Sequence, residues 1–337
     1  MKAAIFDAPN ELRLGSWPDP VLGPRDVKIA VEAAGICAGD LYIYSGKNPY
    51  IQYPVIGGHE ICGTVIDKGG EVETISLGQL VVVEPFLSCG KCYPCRVGKP
   101  NCCANLQIIG VHRPGGYAEW VSAPASHVHV VPDGISPFNA SFAEPVTIGI
   151  HACRRGQINA SEYVLVLGCG PIGLAIIEVA LNHNARVVAT DIVNSRLEVA
   201  RKLGAETIRS GERLAETVLE QTAGEGAPVV VEATGNPTVM QSTVNLVASG
   251  GRIVIVGLVA KGVQVSFAGL EFTRKELSIF GSRTETGCFE EALNLLAGGK
   301  IKYPEIATEF DLWSAPAVFE QIAKNPAHLH KGVLVPH

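Results

Sequence analysis

No run of about 18 apolar residues occurs anywhere in this 337-residue chain, so a membrane-spanning helix is not expected. The first residues, Met1-Lys2-Ala3-Ala4-Ile5-Phe6-Asp7, carry no long apolar segment of the kind that opens an export signal, and the protein is expected to be cytoplasmic. Basic excess is missing too. A net charge of −6 argues against nucleic acid or an anionic membrane as a partner. No internal repeat and no low-complexity linker divides the sequence. Helical periodicity is absent from residues 1–85, which instead alternate polar and apolar side chains, as in Val27-Lys28-Ile29-Ala30-Val31-Glu32, between glycine and proline punctuation.

What remains is an apolar content of 47% with 18% charged residues, the balance of a globular chain. Its length exceeds what one core usually fills, so two domains are expected. Five of the ten cysteines fall between Cys89 and Cys103. Cys89, Cys92 and Cys95, followed after a gap by Cys102-Cys103, can supply four thiolates to a tetrahedral zinc. Adjacent residues cannot both reach one metal comfortably, and spacing alone leaves Cys102 or Cys103 as the fourth ligand. A disulfide framework or redox thiols would be the other uses, but frameworks belong to short secreted chains. A four-sulfur site is closed, so it holds structure and performs no chemistry.

A sparser set precedes it. Gly35-Ile36-Cys37-Ala38-Gly39-Asp40 and Gly57-Gly58-His59-Glu60 read as loops that present side chains. Cys37, His59 and Glu60 offer sulfur, imidazole and carboxylate, the mixed donors of a catalytic zinc that keeps a position open. Singly, Cys37 could pack in a core and His59 be a satisfied buried histidine. Glu144, just before Pro145 in an apolar stretch, needs a partner, which a metal would provide, or else caps a helix entry.

From Tyr163 the grammar changes to a buried strand, a glycine turn and a helix. In Gly168-Cys169-Gly170-Pro171-Ile172-Gly173 the first glycine permits the turn, the second lets a pyrophosphate approach the backbone, and the third lets helix and strand pack closely. The next strand ends on Asp191, where a carboxylate can accept both ribose hydroxyls and repel a 2′-phosphate; NAD is expected over NADP, with Arg196 nearby as the opposing feature. Helices are expected at Arg196 to Leu203 and Pro237 to Ala248. Val229 to Gly235 and Gly251 to Leu258 read as further buried parallel strands, so Thr234, Gly257 and Leu258 should border the nicotinamide half of a site at the strand C-termini. His328 and His330 read as solvated surface histidines.

Taken together, Cys37, His59-Glu60, the cysteine loop, Glu144 and the segment from Gly168 to Asp191 resemble the zinc-dependent medium-chain alcohol and polyol dehydrogenases over nearly the whole chain. Gly58-His59-Glu60, Ala143-Glu144-Pro145, Gly149-Ile150-His151-Ala152-Cys153-Arg154-Arg155 and Gly281-Ser282-Arg283 are most similar to the branch of sorbitol dehydrogenases and bacterial sugar-acid oxidoreductases. The resemblance implies an α/β fold: a β-rich GroES-like catalytic domain over residues 1–147 with a structural zinc lobe at about 85–105, a doubly wound Rossmann domain over 148–283, and a return to the catalytic domain over 284–337. It implies that Cys103 rather than Cys102 completes the structural zinc. The catalytic zinc would be held by Cys37, His59 and Glu60, with Glu144 binding the metal or holding its water, Asp40 orienting a ligand, and Arg283 near the nicotinamide, binding substrate hydroxyls or a carboxylate. It further implies NAD, a polyol or sugar-acid substrate and a homodimer or homotetramer. One departure stands out: the family usually has Ser or Thr two residues after the first ligand, to relay the substrate proton, and this chain has Gly39. Rival readings are an NADPH-dependent carbonyl reductase of the same fold and, more remotely, a zinc-loop interaction module.

Overall fold

The computed structural model describes residues 1–325 and 329–337; His328 lies outside the described residues. The chain forms two compact units, Met1–Glu144 with Phe289–Gly299 and Pro304–His337, and Pro145–Cys288 with Lys300–Tyr303. The divisions thus fall a few residues from the boundaries expected at 147 and 283, and the C-terminal return is interrupted by one short excursion. Buried Glu178 explains the excursion, because its carboxylate accepts the backbone N–H groups of Lys302 at 2.6 Å and Tyr303 at 2.9 Å and so ties this segment to the second unit.

The first unit is built on the strand Asp26–Ile36, whose residues alternate half-buried and buried as far as Ala33 and are all buried from there on. Along one edge it pairs antiparallel with Glu60–Lys68, and along the other with Trp120–Pro124 and then Gly332–Val335. Leu80–Val83, Val128–Val130 and Thr308–Asp311 complete this seven-stranded sheet. A three-stranded sheet of Glu11–Ser16, Lys2–Ala8 and Val55–Ile56 lies in the same unit. Phe6, Tyr44, Tyr117 and Phe319 meet in its core, with ring centroids 5.3 to 6.4 Å apart. The strand-only reading of residues 1–85 misses one element, the helix Ala38–Tyr44. Seven residues are too few to show a period, and the helix is fixed instead at its start, where the Asp40 carboxylate accepts the Cys37 N–H at 2.9 Å.

The second unit is an all-parallel six-stranded sheet ordered Glu206–Arg209, Arg186–Asp191, Tyr163–Leu167, Ala227–Glu232, Val247–Ile255, Ser278–Gly281. Read by position in the chain this is 3-2-1-4-5-6, the doubly wound order with its switch point beside the first strand. Tyr163–Leu167 is buried throughout, which is why it reads as an unbroken apolar run. The two expected helices are present as Asn194–Lys202 and Pro237–Leu246. The latter begins where Asn236 accepts the N–H groups of Thr238 and Val239, and ends two residues early because Val247 already opens the next strand. Among the described residues no helix is long and apolar enough to cross a membrane.

Candidate functional site

The turn at the end of Asp26–Ile36 delivers Cys37, and the start of Glu60–Lys68 delivers His59 and Glu60. One ligand atom from each of Cys37, His59 and Glu60 lies within 4.8 Å of the other two. Asp40 fixes both segments. Its carboxylate is fully buried and accepts the N–H of Cys37 at 2.9 Å, that of Gly58 at 3.3 Å and the hydroxyl of Tyr117 at 2.8 Å, while its Oδ1 stands 3.8 Å from His59 Nδ1. Tyr117 also shapes the backbone: a Cβ on Gly58, whose φ is +87°, would lie 2.7 Å from the tyrosine ring.

Glu60 has a partner that sequence reasoning misses. Lys331, 3% exposed, sets its ammonium 2.5 Å from the Glu60 carboxylate and 3.0 Å from the Ile36 carbonyl oxygen. The two residues are 271 positions apart in sequence, and pairing of Gly332 with Ile36 is what brings them together. Across the strands Glu60 faces Gly35, where a Cβ would fall 1.9 Å from Glu60 Oε2. Glu144 is buried in the first turn of Ala143–Gly156, as its helix-entry reading has it, and its negative charge reaches His59 and Lys331. It does not belong to the group of three whose ligand atoms converge.

The donor group suits a divalent cation. Burial alone would push the His59 imidazole down, yet the charges of Cys37 and Asp40 overcome it and hold His59 well above the ordinary histidine range. Lys331 is likewise raised: desolvation is outweighed by Glu60 and Cys37. A concentration of anionic donors that retains protons this strongly is one in which a metal would displace them. His59 Nδ1 is buried without a hydrogen bond, and a carboxylate has about four acceptor positions, so the Lys331 pair leaves Glu60 capacity to ligate.

The cysteine lobe is a second group. Cys89, Cys92, Cys95 and Cys103 converge within 4.8 Å, and Cys102 is outside. Cys92 Sγ lies 3.4 Å from Cys95 Sγ and 3.7 Å from Cys103 Sγ, far beyond the ~2.05 Å of a disulfide. Cys103 Sγ accepts the N–H groups of Cys89 and Asn105, both at 3.3 Å. The amides of Lys91 and Cys92 draw the Cys89 thiol down to about 6, while desolvation and the neighbouring sulfurs push Cys95 up to about 11. Four thiols this close ionise fully only around a cation. Accordingly, Cys103→Ser is expected to remove one zinc per chain and Cys102→Ser none, as read by elemental analysis of the purified variants.

In the second unit the three glycines of the turn differ in what surrounds them. Gly168 has φ +101°, a Cβ on Gly173 would meet Gly168 O at 2.0 Å, and a Cβ on Gly170 would meet nothing within 4 Å, leaving open space before the helix Pro171–Asn182. Asp191 accepts the N–H groups of Cys169 and Val193, each at 2.9 Å, so the strand-end carboxylate is locked against that turn; Arg196 stands 3.9 Å from it. Thr234 and Gly257 are held by a residue that no motif singles out. Fully buried Glu232 accepts the N–H groups of Thr234 at 2.8 Å and Gly235 at 3.1 Å, and its backbone carbonyl accepts those of Val256 and Gly257. Leu258 is 83% exposed. Arg283 follows the last strand of the sheet, exposed.

Two family models match the chain, an alcohol dehydrogenase GroES-like domain over residues 23–133 and a zinc-binding dehydrogenase over 171–298. L-galactonate-5-dehydrogenase of Escherichia coli K12 is 36% identical, the match covering 99% of this chain and 98% of that one. This chain belongs to the zinc-dependent medium-chain dehydrogenases. Within that family, sorbitol dehydrogenase of Bacillus subtilis 168 is 30% identical over 92% of this chain and 89% of its own. The structure of the alcohol dehydrogenase RspB from E. coli CFT073, complexed with NADH, superposes with a TM-score of 0.93 at 32% identity, covering 99% of each chain. In this medium-chain dehydrogenase, then, Lys331, Tyr117 and Glu232 are the residues that long-range pairing or burial brings to the sites and that no local motif announces.

Proposed function

We propose that this dehydrogenase oxidises a secondary hydroxyl of a polyol or sugar acid, with zinc at Cys37, His59 and Glu60 and with NAD as hydride acceptor. The reading is carried by the donor group itself: one sulfur, one imidazole and one carboxylate, distinct from the closed four-sulfur lobe and short of a full tetrahedral shell. Zinc held there would supply Lewis acidity, lowering the pKa of an alcohol on it, and NAD would take up the hydride. Asp40 would keep Cys37 and His59 in place through the amides of Cys37 and Gly58. Lys331 would offset part of the Glu60 charge and so keep the site from becoming too anionic to polarise an alcohol. Glu144 is assigned to the metal or its water, and Arg283 to substrate hydroxyls or a carboxylate. Asp191 would accept hydrogen bonds from the ribose hydroxyls, and the amides opening Pro171–Asn182 would donate to the pyrophosphate oxygens. A homodimer or homotetramer belongs to the same reading, supported by the edge position of Ser278–Gly281 in its sheet.

The test is NADH absorbance with a panel of polyols, aldonates and their keto forms, run with both dinucleotides. NAD is expected to be preferred at least about tenfold in kcat/KM, and Asp191→Ala to erase that preference, since loss of the carboxylate removes both the ribose contacts and the repulsion of a 2′-phosphate. A parent enzyme that turns over only with NADP(H) would favour the carbonyl-reductase reading, in which Arg196 outweighs Asp191.

A further inference from the structure

Glu178 and Glu232 are both buried glutamates of the second unit whose carboxylates accept backbone amides, but they lie at different places in the fold. Glu178 ties the helix Pro171–Asn182 to the segment at Lys302 and Tyr303. Glu232 ends the strand Ala227–Glu232, paired with Leu167 on one side and Ile255 on the other, and so lies at the C-terminal rim of the sheet beside the switch point. Its carboxylate accepts the N–H groups of Thr234 at 2.8 Å and Gly235 at 3.1 Å together with the Thr234 hydroxyl, which folds the turn at Thr234-Gly235 back over the strand end. Two other loops are fitted to that turn. A Cβ on Gly168 would lie 2.8 Å from the Thr234 methyl, and a Cβ on Gly257 would lie 2.7 Å from Glu232 Oε2. Surface turns are commonly made with Gly, Asn or Asp alone, whereas a fully buried carboxylate is costly unless its hydrogen bonds compensate. The fold by itself does not call for a glutamate here.

We infer that Glu232 is a positioning residue for the nicotinamide half of the dinucleotide: through the Thr234-Gly235 turn and Gly257 it sets the surface on which that half lies. The inference rests on the reading of this crevice as the NAD site. Asp191 ends the strand on one side of the switch point and would take the adenosine ribose. With the pyrophosphate at Gly168 to Gly173, the other half of NAD then runs over the strands on the opposite side, Ala227–Glu232 and Val247–Ile255. The adenosine side is fixed without Glu232, because the Gly168 N–H donates to the Thr190 carbonyl at 2.8 Å and Asp191 accepts the amides of Cys169 and Val193. Loss of the Glu232 carboxylate should therefore loosen one half of the site and spare the other.

The experiment compares, by calorimetry on the zinc-loaded enzyme, the affinities for NADH and for ADP-ribose, which keeps the adenosine half and the pyrophosphate but has no nicotinamide. Glu232→Gln preserves the shape and sets an amide NH2 where Oε2 faces the Gly235 N–H at 3.3 Å. It should weaken NADH by about tenfold, the loss of roughly one hydrogen bond to a charged group, and leave ADP-ribose within about twofold of the parent. The fluorescence lifetime of bound NADH, which reports how firmly the nicotinamide is held, should shorten. Glu178→Gln, a buried glutamate bound to amides away from the strand ends, should lower the melting temperature and leave the ratio of the two affinities at its parent value. If Glu232→Gln does not fold, Thr234→Val carries the same expectation with an effect of about threefold, since it keeps the methyl against Gly168 and removes only the hydroxyl. Equal weakening of both ligands, or a ratio that Glu178→Gln shifts as far as Glu232→Gln does, overturns the inference. A parent that binds neither NADH nor ADP-ribose fails the dinucleotide reading, and the inference falls with it; a parent that binds both, with a ratio unmoved in the variants, fails only the inference.

Discussion

Replacing Cys37 or His59 with Ala should lower alcohol oxidation by at least about a thousandfold while leaving dinucleotide binding intact. Zinc provides several kcal/mol of charge stabilisation to a developing alkoxide, and each ~1.4 kcal/mol corresponds to a factor of ten in rate. Either substitution removes one of the three donors that converge among the described residues, and Asp40 cannot substitute, because its carboxylate is already engaged by Cys37 N–H, Gly58 N–H and Tyr117. The dinucleotide side should be untouched: Gly168, Gly170, Gly173 and Asp191 belong to the other compact unit and hold their geometry through their own hydrogen bonds. Elemental analysis should show zinc falling from two per chain to one, the survivor being that of the cysteine lobe, and calorimetry should return the parent affinity for NADH. Undiminished turnover in either variant would rule out the mechanism.

The second large effect concerns stability. Lys331→Met keeps the apolar stem but strands the Glu60 carboxylate, which is 1% exposed, without its ammonium. Removing one partner of a buried ion pair typically costs about 3–5 kcal/mol, because the remaining charge is left desolvated and unpaired. Urea denaturation of the chelator-treated protein should show a loss of this size. Adding Glu60→Gln to Lys331→Met should recover much of it, since the unpaired charge is then gone. In zinc-loaded protein the loss should be smaller, because a metal on Glu60 provides a second counter-charge. A Lys331→Met variant as stable as the parent in the absence of zinc would mean that the pair contributes nothing to the fold.

These two effects differ in how far the sequence announces them. The cysteine lobe and the glycine turn were legible because each is local: Cys89 to Cys103 and Gly168 to Asp191 are short stretches in which residue type and spacing nearly dictate geometry. Cys37 and His59-Glu60 were legible as candidates because glycines bracket them. What their motif could not reveal is what surrounds it. Tyr117 lies in a stretch that reads only as strand and turn, yet its ring takes the Cβ space of Gly58 and its hydroxyl satisfies Asp40. Lys331 precedes a C-terminal strand and looks like any surface lysine, until antiparallel pairing with Asp26–Ile36 buries it. Glu178 and Glu232 are similarly silent: a glutamate in an apolar segment signals that a partner exists, but most of the partners named are backbone amides, which leave no trace in residue identity. The helix Ala38–Tyr44 leaves no periodic signal because it is set by a capping interaction at its start.

The distance in sequence between Glu60 and its ammonium also has a meaning in time. The 271 residues that separate them, at ordinary rates of synthesis, occupy a ribosome for on the order of tens of seconds. Throughout that interval the Lys331 ammonium is absent, so burial of the Glu60 carboxylate is disfavoured unless a metal or a proton neutralises it. The strand Asp26–Ile36 can pair early with Glu60–Lys68, but the edge that Gly332–Val335 covers stays open to water. In a metal-free chain, closure around Glu60 is in this sense expected late in biogenesis, after Lys331 has been made.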